Sequence, residues 1–231
     1  MIKYILTDIE GTTTSIEFVH DVLFPYFIKN FETFAKNHNK KINETLQNIR
    51  YLAEAENGKT INNSDIIEVV IEWARKDKKD TNLKILQGIV WREGYKSGTI
   101  KSHVYNDVPD VLKFWKAKGM ELGVYSSGSV EAQKLLFAHT ELGDLTPCFS
   151  HYFDTKVGAK REVKSYSNIQ NVLNIPTNDI LFLSDTEQEL DAAQMAGFQT
   201  IQLVREGTIS GTKHNTAKDF NDVATLLATS L

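Results

Sequence analysis

The chain has 231 residues, of which 41% are hydrophobic and 24% charged, as in an ordinary globular protein of one or two domains. The formal charge of −4 provides no basic surface for nucleic acid, and the single cysteine, Cys148, excludes an internal disulfide and suits a reducing compartment. No apolar run approaches the roughly 20 residues of a membrane span. We therefore expect a cytoplasmic chain, or in a eukaryote also a nuclear one, without membrane or nucleic-acid partners.

The first residues predict a buried strand that ends in two carboxylates. Residues 2–7 are mostly apolar, and Asp8 and Glu10 follow them at once. From Glu17 the apolar spacing becomes helical, and segment 17–100 contains several predicted helices and no convincing strand. We therefore expect this segment to be an all-helical cap domain, inserted after the first strand.

Beyond residue 100, predicted strands alternate with predicted helices. The strands are ELGVYSS, DILFLSD and FQTIQLV, and the helices are VEAQKLLFAH, SYSNIQNVLN and QELDAAQMAG. An earlier helix is predicted to have Asp107 as its cap and Pro109 in its first turn. The alternation indicates an α/β fold with a doubly wound parallel sheet, which the strand at residues 2–7 must join. The predicted core is thus 1–16 with 101–231.

Asp8 and Glu10 are the first candidates for chemistry, because ligands of parallel sheets bind at the carboxyl ends of the strands. Residues i and i+2 of a strand point the same way, so both carboxylates would face one cleft if the extended geometry persists. One carboxylate could then attack phosphorus and form an aspartyl-phosphate, while the other protonates the leaving oxygen and activates water. Taken alone, the pattern fits an acidic turn at the end of a strand equally well.

The stretch VYSSGS places Ser126 and Ser127 between a strand and a helix. Either hydroxyl could donate to a phosphate oxygen, and the N–H groups at the helix start attract anions. A serine that only caps the helix explains the same pattern.

Several basic residues precede the next helix, in the stretch KVGAKREVKSY. Lys160 could neutralise a phosphate and a phosphorylated aspartate. Spacing alone does not separate it from three rivals, namely Lys156, Arg161 and Lys164.

Asp185 follows four consecutive apolar residues in ILFLSD and so lies at the mouth of a buried strand. Together with Asp8 it would form an all-oxygen site suited to Mg²⁺, which substrate phosphate and water would complete. Glu187 and Asp191 are candidates to hold the metal's waters or Lys160. A helix cap is the alternative explanation of Asp185.

The chain as a whole resembles the enolase-phosphatase (acireductone synthase) family of methionine salvage, within the haloacid dehalogenase superfamily. The resemblance covers nearly the whole chain and rests on the stretches DIEGTTTSIEFV, LFPYF, LQGIVWREGYKSG, YSSGSVEAQKLLFAH, HYFDTKVGAK and ILFLSD. It implies Asp8 as nucleophile and metal ligand, and Glu10 as general acid and base that also binds metal through its side chain or its carbonyl. It implies Asp185 as a further ligand of one Mg²⁺ per chain.

The resemblance also implies that Ser126, Ser127 and Lys160 contact the substrate phosphate. Ala159 is a departure, since the family often has histidine there, and it leaves out any help from an imidazole beside Lys160. The implied reaction enolises 2,3-diketo-5-methylthiopentyl-1-phosphate and then hydrolyses it to 1,2-dihydroxy-3-keto-5-methylthiopentene and phosphate. The family analogy implies a monomer.

The residue that abstracts the proton for enolisation is not legible from the sequence. Glu10 is the first candidate, and Glu93 or Lys101 of the inserted segment are weaker ones. Three aromatic residues of that segment are candidates for an apolar wall around the methylthio tail, although they could equally be its core: Phe18, Phe24 and Trp91.

Alternative functions stay open at this point. The nearest is a capped phosphatase that acts on another small phosphate ester. A phospho-accepting receiver is disfavoured by the long insertion, because βα loops are typically about 2–6 residues. A non-hydrolytic binding protein is another possibility, and a metal-free dehalogenase would not need both Glu10 and Asp185.

Overall fold

The computed structural model describes residues 1–229, with the exception of the side chain of Asn39. Two compact units are present, one formed by residues 1–16 and 101–229 and the other by Glu17–Ile100. We call them the core unit and the helical insertion. No described helix combines the length and the apolar character that crossing a lipid bilayer requires.

The core unit contains a six-stranded sheet in which all the strand pairs are parallel. In chain order its strands are β1 Tyr4–Thr7, β2 Glu121–Tyr125, β3 His151–Phe153, β4 Ile180–Ser184, β5 Gln199–Leu203 and β6 Asn215–Ala217. Their spatial order is β3-β2-β1-β4-β5-β6. The strand at the start of the chain thus lies in the middle of a sheet built mostly from the second half of the sequence, which confirms the predicted doubly wound fold.

The apolar composition of the central strands follows from their position. All four residues of β1 and all five of β4 are buried, because helices cover both faces of a parallel sheet. The register pairs Thr7 with Val124 on one side and with Leu183 on the other. Asp8 follows β1 and Asp185 follows β4. Both residues consequently lie at the same edge of the sheet.

The main helices of both units follow the predicted order along the chain. In the core unit they are α6 Val108–Ala117, α7 Val130–Ala138, α8 Val163–Leu173, α9 Glu187–Met195 and α10 Phe220–Thr229. In the insertion they are α2 Phe24–Asn37, α3 Asn39–Asn57, α4 Ile66–Arg75 and α5 Thr81–Lys96, preceded by a short α1 at Ile16–Phe18 and a π-helical turn at Val19–Leu23. The insertion is therefore helical in its described residues, and Phe27, Phe31, Ile49 and Val70 are among the fully buried members of its own hydrophobic core.

Two strands, one helix and one side-chain role were not predicted correctly. The strands β3 and β6 have only three residues each, and β6 has the polar sequence NTA, so neither carries a clear apolar signal. Helix α10 was not predicted. Asp107 does occupy the position before α6, but its side chain makes no capping hydrogen bond, because its carboxylate binds Arg205 instead.

Candidate active site

Asp8 lies directly after β1, at the carboxyl end of a central strand. Its N–H donates to the carbonyl of Leu183 at 2.9 Å, which continues the pairing of β1 with β4 by one residue. The residue is 4% exposed, and its Oδ1 accepts a hydrogen bond from the N–H of Ile9 at 2.6 Å. The carboxylate is therefore held in one orientation, at the sheet edge where ligands of such folds bind.

Lys160 is the basic residue that contacts this carboxylate. Its Nζ lies 2.5 Å from Oδ1 of Asp8 and 2.9 Å from Oε2 of Glu189 on α9. The same Oε2 accepts a hydrogen bond from the hydroxyl of Ser184 at 3.0 Å. The other basic residues of this stretch are all exposed: Lys156, Arg161 and Lys164. Of these four basic residues, Lys160 is thus the one whose contact with Asp8 the structure shows.

The charges of this group control one another's protonation. Burial lowers the pKa of the Lys160 ammonium, but Asp8 and Glu189 act against it more strongly, so that the pKa is raised above its ordinary range. Burial raises the pKa of the Glu189 carboxyl, and the negative charge of Asp8 raises it further, while Lys160 opposes both. Lys160 therefore stays charged beside Asp8 at neutral pH.

A tight loop follows Asp8, and buried threonines hold it. The N–H groups of threonines 12–14 all donate to the carbonyl of Ile9, at 3.2, 2.9 and 3.0 Å respectively. The hydroxyl of Thr13 donates to the carbonyls of Asp8 and Ile9 at 3.3 and 3.2 Å. All three threonines have no exposed surface. The hydroxyl of Thr13 thus serves the backbone of the loop, while that of Thr14 donates to the carbonyl of His103.

Asp185 lies one strand away from Asp8, after β4. Its N–H donates to the hydroxyl of Thr12 at 3.0 Å. Gly11 has a φ of +70°, and a Cβ at this position would lie 2.4 Å from Oδ2 of Asp185, so glycine is required both for the turn and for the space. Burial, followed by the charge of Asp8, raises the pKa of the Asp185 carboxyl.

These two carboxylates fit a divalent cation. In the described part of the chain, no three His, Cys, Asp or Glu side chains form a group that could hold a metal ion. Mg²⁺ does not need such a group, because one or two carboxylates usually bind it together with waters and substrate phosphate. Burial and, after it, repulsion from Asp8 raise the pKa of Asp185, and a bound cation would offset that repulsion. The lack of a side chain at Gly11 leaves room for the Asp185 carboxylate at this edge of the sheet.

Glu10 does not continue the strand. β1 ends at Thr7, and Glu10 forms an isolated bridge with Thr14 inside the loop, where it is half-buried. The prediction that Asp8 and Glu10 face one cleft required an extended backbone through residue 10, and the backbone is not extended there. The loop, rather than strand geometry, fixes the position of Glu10.

The serines after β2 have different environments. Ser126 is buried, its N–H donates to the carbonyl of Phe153 at 3.1 Å, and its Oγ accepts from the N–H of Gly128 at 3.1 Å. Ser127 is exposed. The cap of α7 is Ser129, whose hydroxyl accepts from the N–H of Ala132 at 3.2 Å. Helix capping therefore does not explain either of the two candidate serines.

The candidates predicted in and next to the insertion are three aromatic residues and two charged ones. Trp91 stacks on Phe24 with the ring centroids 6.3 Å apart, and Phe18 is buried. Glu93 is exposed and raises the pKa of the neighbouring Tyr26, although burial of that phenol contributes more. Lys101, the first residue of the second core segment, is exposed as well.

The amino-acid sequence is similar to known proteins over nearly its whole length. Residues 2–197 match the family model of haloacid dehalogenase-like hydrolases. The chain is 47% identical to the enolase-phosphatase E1 of a Picosynechococcus strain over 98% of its own length and 100% of that relative. It is 48% identical to the enolase-phosphatase E1 of Marinobacter nauticus over 98% and 99% of the two lengths. The chain belongs to the enolase-phosphatase E1 family of haloacid dehalogenase-like hydrolases.

Two solved structures are similar to this chain to different degrees. The UTR4 protein of Saccharomyces cerevisiae has a TM-score of 0.81 and 34% identity, over 95% of this chain and 98% of that one. The L-2-haloacid dehalogenase of Xanthobacter autotrophicus has a TM-score of 0.60 and 15% identity, over 100% of each chain. The second likeness shows a shared fold only.

Glu189 is the site residue of this enolase-phosphatase family member that the sequence did not reveal. Glu187 and Asp191 are predicted to hold the metal's waters or Lys160. The acidic residue of α9 that binds Lys160 is Glu189, while Glu187 lies beside Gly211 and Asp191 binds Lys213 at 2.8 Å. At about 100° per residue, positions 187 and 191 share one face of α9, while position 189 lies on the opposite face. That face carries the buried Ala192 and Ala193. An acidic residue beside the apolar stripe was the available signal.

Proposed function

We propose that the protein is a Mg²⁺-dependent enolase-phosphatase that converts 2,3-diketo-5-methylthiopentyl-1-phosphate to 1,2-dihydroxy-3-keto-5-methylthiopentene and phosphate in methionine salvage. The observation that carries the proposal is the buried contact of Asp8 with Lys160, 2.5 Å long, at the carboxyl end of β1. Support also comes from the relatives named enolase-phosphatase E1, which the chain matches over nearly its whole length.

Asp8 is the proposed nucleophile. Its Oδ1 already accepts from Ile9 and contacts Lys160, so Oδ2 is the oxygen that we propose attacks phosphorus. The bond between phosphorus and the ester oxygen breaks, and Glu10 gives its proton to that oxygen. Glu10 then takes a proton from the water that cleaves the aspartyl-phosphate, which restores Asp8 and releases phosphate.

Lys160 and the two serines are the proposed phosphate contacts. The ammonium of Lys160 stays charged and adjoins Asp8, so it offsets the negative charge that arrives with the phosphate. Ser126 and Ser127 precede α7, and their hydroxyl groups can donate to phosphate oxygens. Glu189 holds Lys160 from the opposite side and keeps its Nζ at Asp8.

Asp8 and Asp185 are the proposed carboxylate ligands of one Mg²⁺, with the carbonyl of Glu10 as a further oxygen. When bound, the ion supplies Lewis-acid charge for both enolisation and phosphoryl transfer. The side chain of Glu10 then remains available as the proposed base that moves the proton during enolisation.

Three further predictions accompany this function. The helical insertion serves as a cap that excludes water, and Phe18, Phe24 and Trp91 contribute to the wall around the methylthio tail. The protein works as a monomer.

The decisive experiment is an assay of the diketo phosphate with Mg²⁺, in which the enediol absorbance of the product and the released phosphate are measured separately. We expect wild type to give both signals. Asp8→Asn should lose phosphate release by about 10⁴-fold or more, because the amide is not a nucleophile. Glu10→Gln should still bind the substrate but lose enolisation.

Asp110→Asn is the matched control, because it neutralises an exposed aspartate at the start of α6 in the same unit. It should keep wild-type rates. Phosphate release from model esters without any enediol signal would contradict the enolase assignment and favour a phosphatase of another small phosphometabolite. Undiminished turnover in Asp8→Asn would contradict the nucleophile.

A further inference from the structure

We infer that Arg205, two residues beyond β5, is a positioning residue for the carboxylates of Asp8 and Asp185. Its hydrogen bonds to the carbonyl of Thr12 fix the loop after Asp8 and thereby help to set the separation of the two carboxylates. The inference rests on the proposed function, because it assigns these carboxylates to one Mg²⁺. Arg205 does not touch either carboxylate, and it acts through the loop after Asp8.

Arg205 is buried, and its guanidinium donates hydrogen bonds to two partners. Its Nε and Nη2 donate to the carbonyl of Thr12 at 3.2 and 3.0 Å. Its Nη1 and Nη2 donate to the two oxygens of Asp107 at 2.9 and 2.8 Å, which is a bidentate pair. The residue is 8% exposed, and its guanidinium lies 4.0 Å above the ring of Tyr105. Such a planar fork cannot rotate without breaking several contacts at once.

The Asp107 side of the pair is itself fixed to the frame of the core unit. Its Oδ2 also accepts from the N–H of Phe220, the first residue of α10, at 2.9 Å. Tyr105 is in turn tied to the loop after Asp8, since its N–H donates to the carbonyl of Thr13 at 3.1 Å. Arg205 thus connects the start of α6 and the start of α10 with the loop after Asp8.

Thr12 passes this restraint to the second carboxylate. Its carbonyl is the group that Arg205 holds, while its hydroxyl accepts the N–H of Asp185 at 3.0 Å. A shift of the Thr12 backbone would therefore move the loop of Asp8 and release the backbone of Asp185 together. Thr12 thus links the loop after Asp8 to the backbone of the second proposed metal ligand.

Gln202 supports Asp185 from the other side. Its Nε2 donates to the carbonyl of Asp185 at 2.8 Å, and its Oε1 accepts from the N–H of Gly211 at 2.7 Å. The side chain is fully enclosed, with the residue 2% exposed. The end of β5 thus carries two groups that hold the backbone around the paired carboxylates, although β5 contributes no proposed ligand.

The test compares purified Arg205→Lys and Thr12→Val with wild type. Lysine keeps the charge of Arg205 but loses the fork, and valine keeps the shape of Thr12 but loses the hydroxyl. We expect each variant to bind Mg²⁺ about 10-fold or more weakly by titration calorimetry, since loss of groups that orient metal ligands typically costs 10–100-fold. The kcat for p-nitrophenyl phosphate should fall about as much, while its KM changes little.

Thr200→Val is the matched control. It removes another buried hydrogen bond of β5, between the Thr200 hydroxyl and Nδ1 of His214 at 2.9 Å, away from Asp185. We expect it to lower the unfolding temperature but to keep wild-type Mg²⁺ affinity and kcat. The difference between this control and the two test variants separates positioning from a general loss of stability.

Wild-type Mg²⁺ affinity and kcat in the folded test variants would overturn the inference, whatever their unfolding temperatures. If Arg205→Lys does not fold, Asp107→Asn takes its place, because the amide weakens the pair that holds the guanidinium on the Thr12 carbonyl. The proposed function is tested separately by the wild-type protein with the diketo phosphate. A wild type that binds Mg²⁺ and cleaves p-nitrophenyl phosphate but gives no enediol would contradict that function and leave the comparison of variants valid.

Discussion

The core unit buries a cluster of charged side chains, whereas the helical insertion keeps its ion pairs at the surface. In the core unit, the side chains of Lys160, Asp8 and Glu189 are only 13%, 6% and 12% exposed, and they contact one another. In the insertion, the ion pairs lie at the surface, as in the pair of Lys36 with Glu32, whose side chains are 72% and 59% exposed. Among its described residues, the only buried polar side chain is Gln87.

This difference separates the part of the chain that is organised around chemistry from the part that is organised around packing. Burying an ammonium between two carboxylates costs solvation energy, which a hydrophobic substitution would avoid. Such groups with strongly shifted pKa values are typical of functional sites. The insertion follows the ordinary rule, in which apolar residues fill the interior and exposed ion pairs add little.

The largest expected effect comes from removing the buried cation. Lys160→Met leaves the carboxylates of Asp8 and Glu189 without their partner, and we expect it to lower the free energy of unfolding by about 3–5 kcal/mol at neutral pH. Urea denaturation measures this change. Lys36→Met is the control from the insertion, and it should leave the unfolding midpoint unchanged because its pair is exposed. Equal losses in the two variants would remove the contrast between the units.

A smaller effect should separate two glycines that have almost the same backbone conformation. Gly11 has a φ of +70° and Gly58, at the end of α3, has a φ of +65°. Gly58→Ala meets nothing within 4 Å and should cost only the left-handed conformation, about 1–2 kcal/mol. Gly11→Ala should cost more, because its Cβ would collide with Asp185, and it should also weaken Mg²⁺ binding about 10-fold or more.

Denaturation melts and Mg²⁺ calorimetry on both alanine variants check this expectation. The two measurements are independent, so the collision and the backbone conformation can be assigned separately. Normal Mg²⁺ affinity in Gly11→Ala would show that Asp185 can move away without consequence, and it would contradict the proposed ligand pair.

The smallest expected effect is a change in the pH dependence of stability. Burial, with the charge of Asp8 second, raises the pKa of Glu189 from 4.5 to about 7. The folded protein therefore binds a proton on Glu189 that the unfolded chain has released, so the contribution of Glu189 to the free energy of unfolding is fully present below pH 4.5 and is lost as the pH rises through about 7. Glu189→Gln should remove on the order of 2 kcal/mol of this loss.

The measurement is urea denaturation at several pH values from 4.5 to 7.5, with EDTA present so that cation binding does not contribute. A part of the slope should remain in Glu189→Gln, because the pKa of Asp185 is raised as well. Glu187→Gln, on the opposite face of α9, should keep the full wild-type slope. A Glu189→Gln variant with that same slope would show that the Glu189 carboxyl does not titrate in this range.

Local sequence patterns predicted much of this molecule because they depend on neighbours in the chain. The apolar run before Asp8 and the run before Asp185 predicted two buried parallel strands, and the structure confirms both. The helical spacing of apolar residues from Glu17 onward predicted helices, and two of these residues, Phe27 and Phe31, are buried in the insertion. The strands β3 and β6 escaped because three residues carry too little of a period to be recognised.

By itself, the sequence determined the fold class, the family and the identity of the acidic, hydroxyl and basic residues that are candidates for chemistry. The tertiary structure alone decided which of them meet: Lys160 with Glu189 rather than with Glu187 or Asp191, and Asp107 with Arg205 rather than with the start of its own helix. The physical reason is that such pairs join residues far apart in the chain. Their contact depends on strand order and on which face of a helix turns inward, and no local pattern encodes either of these.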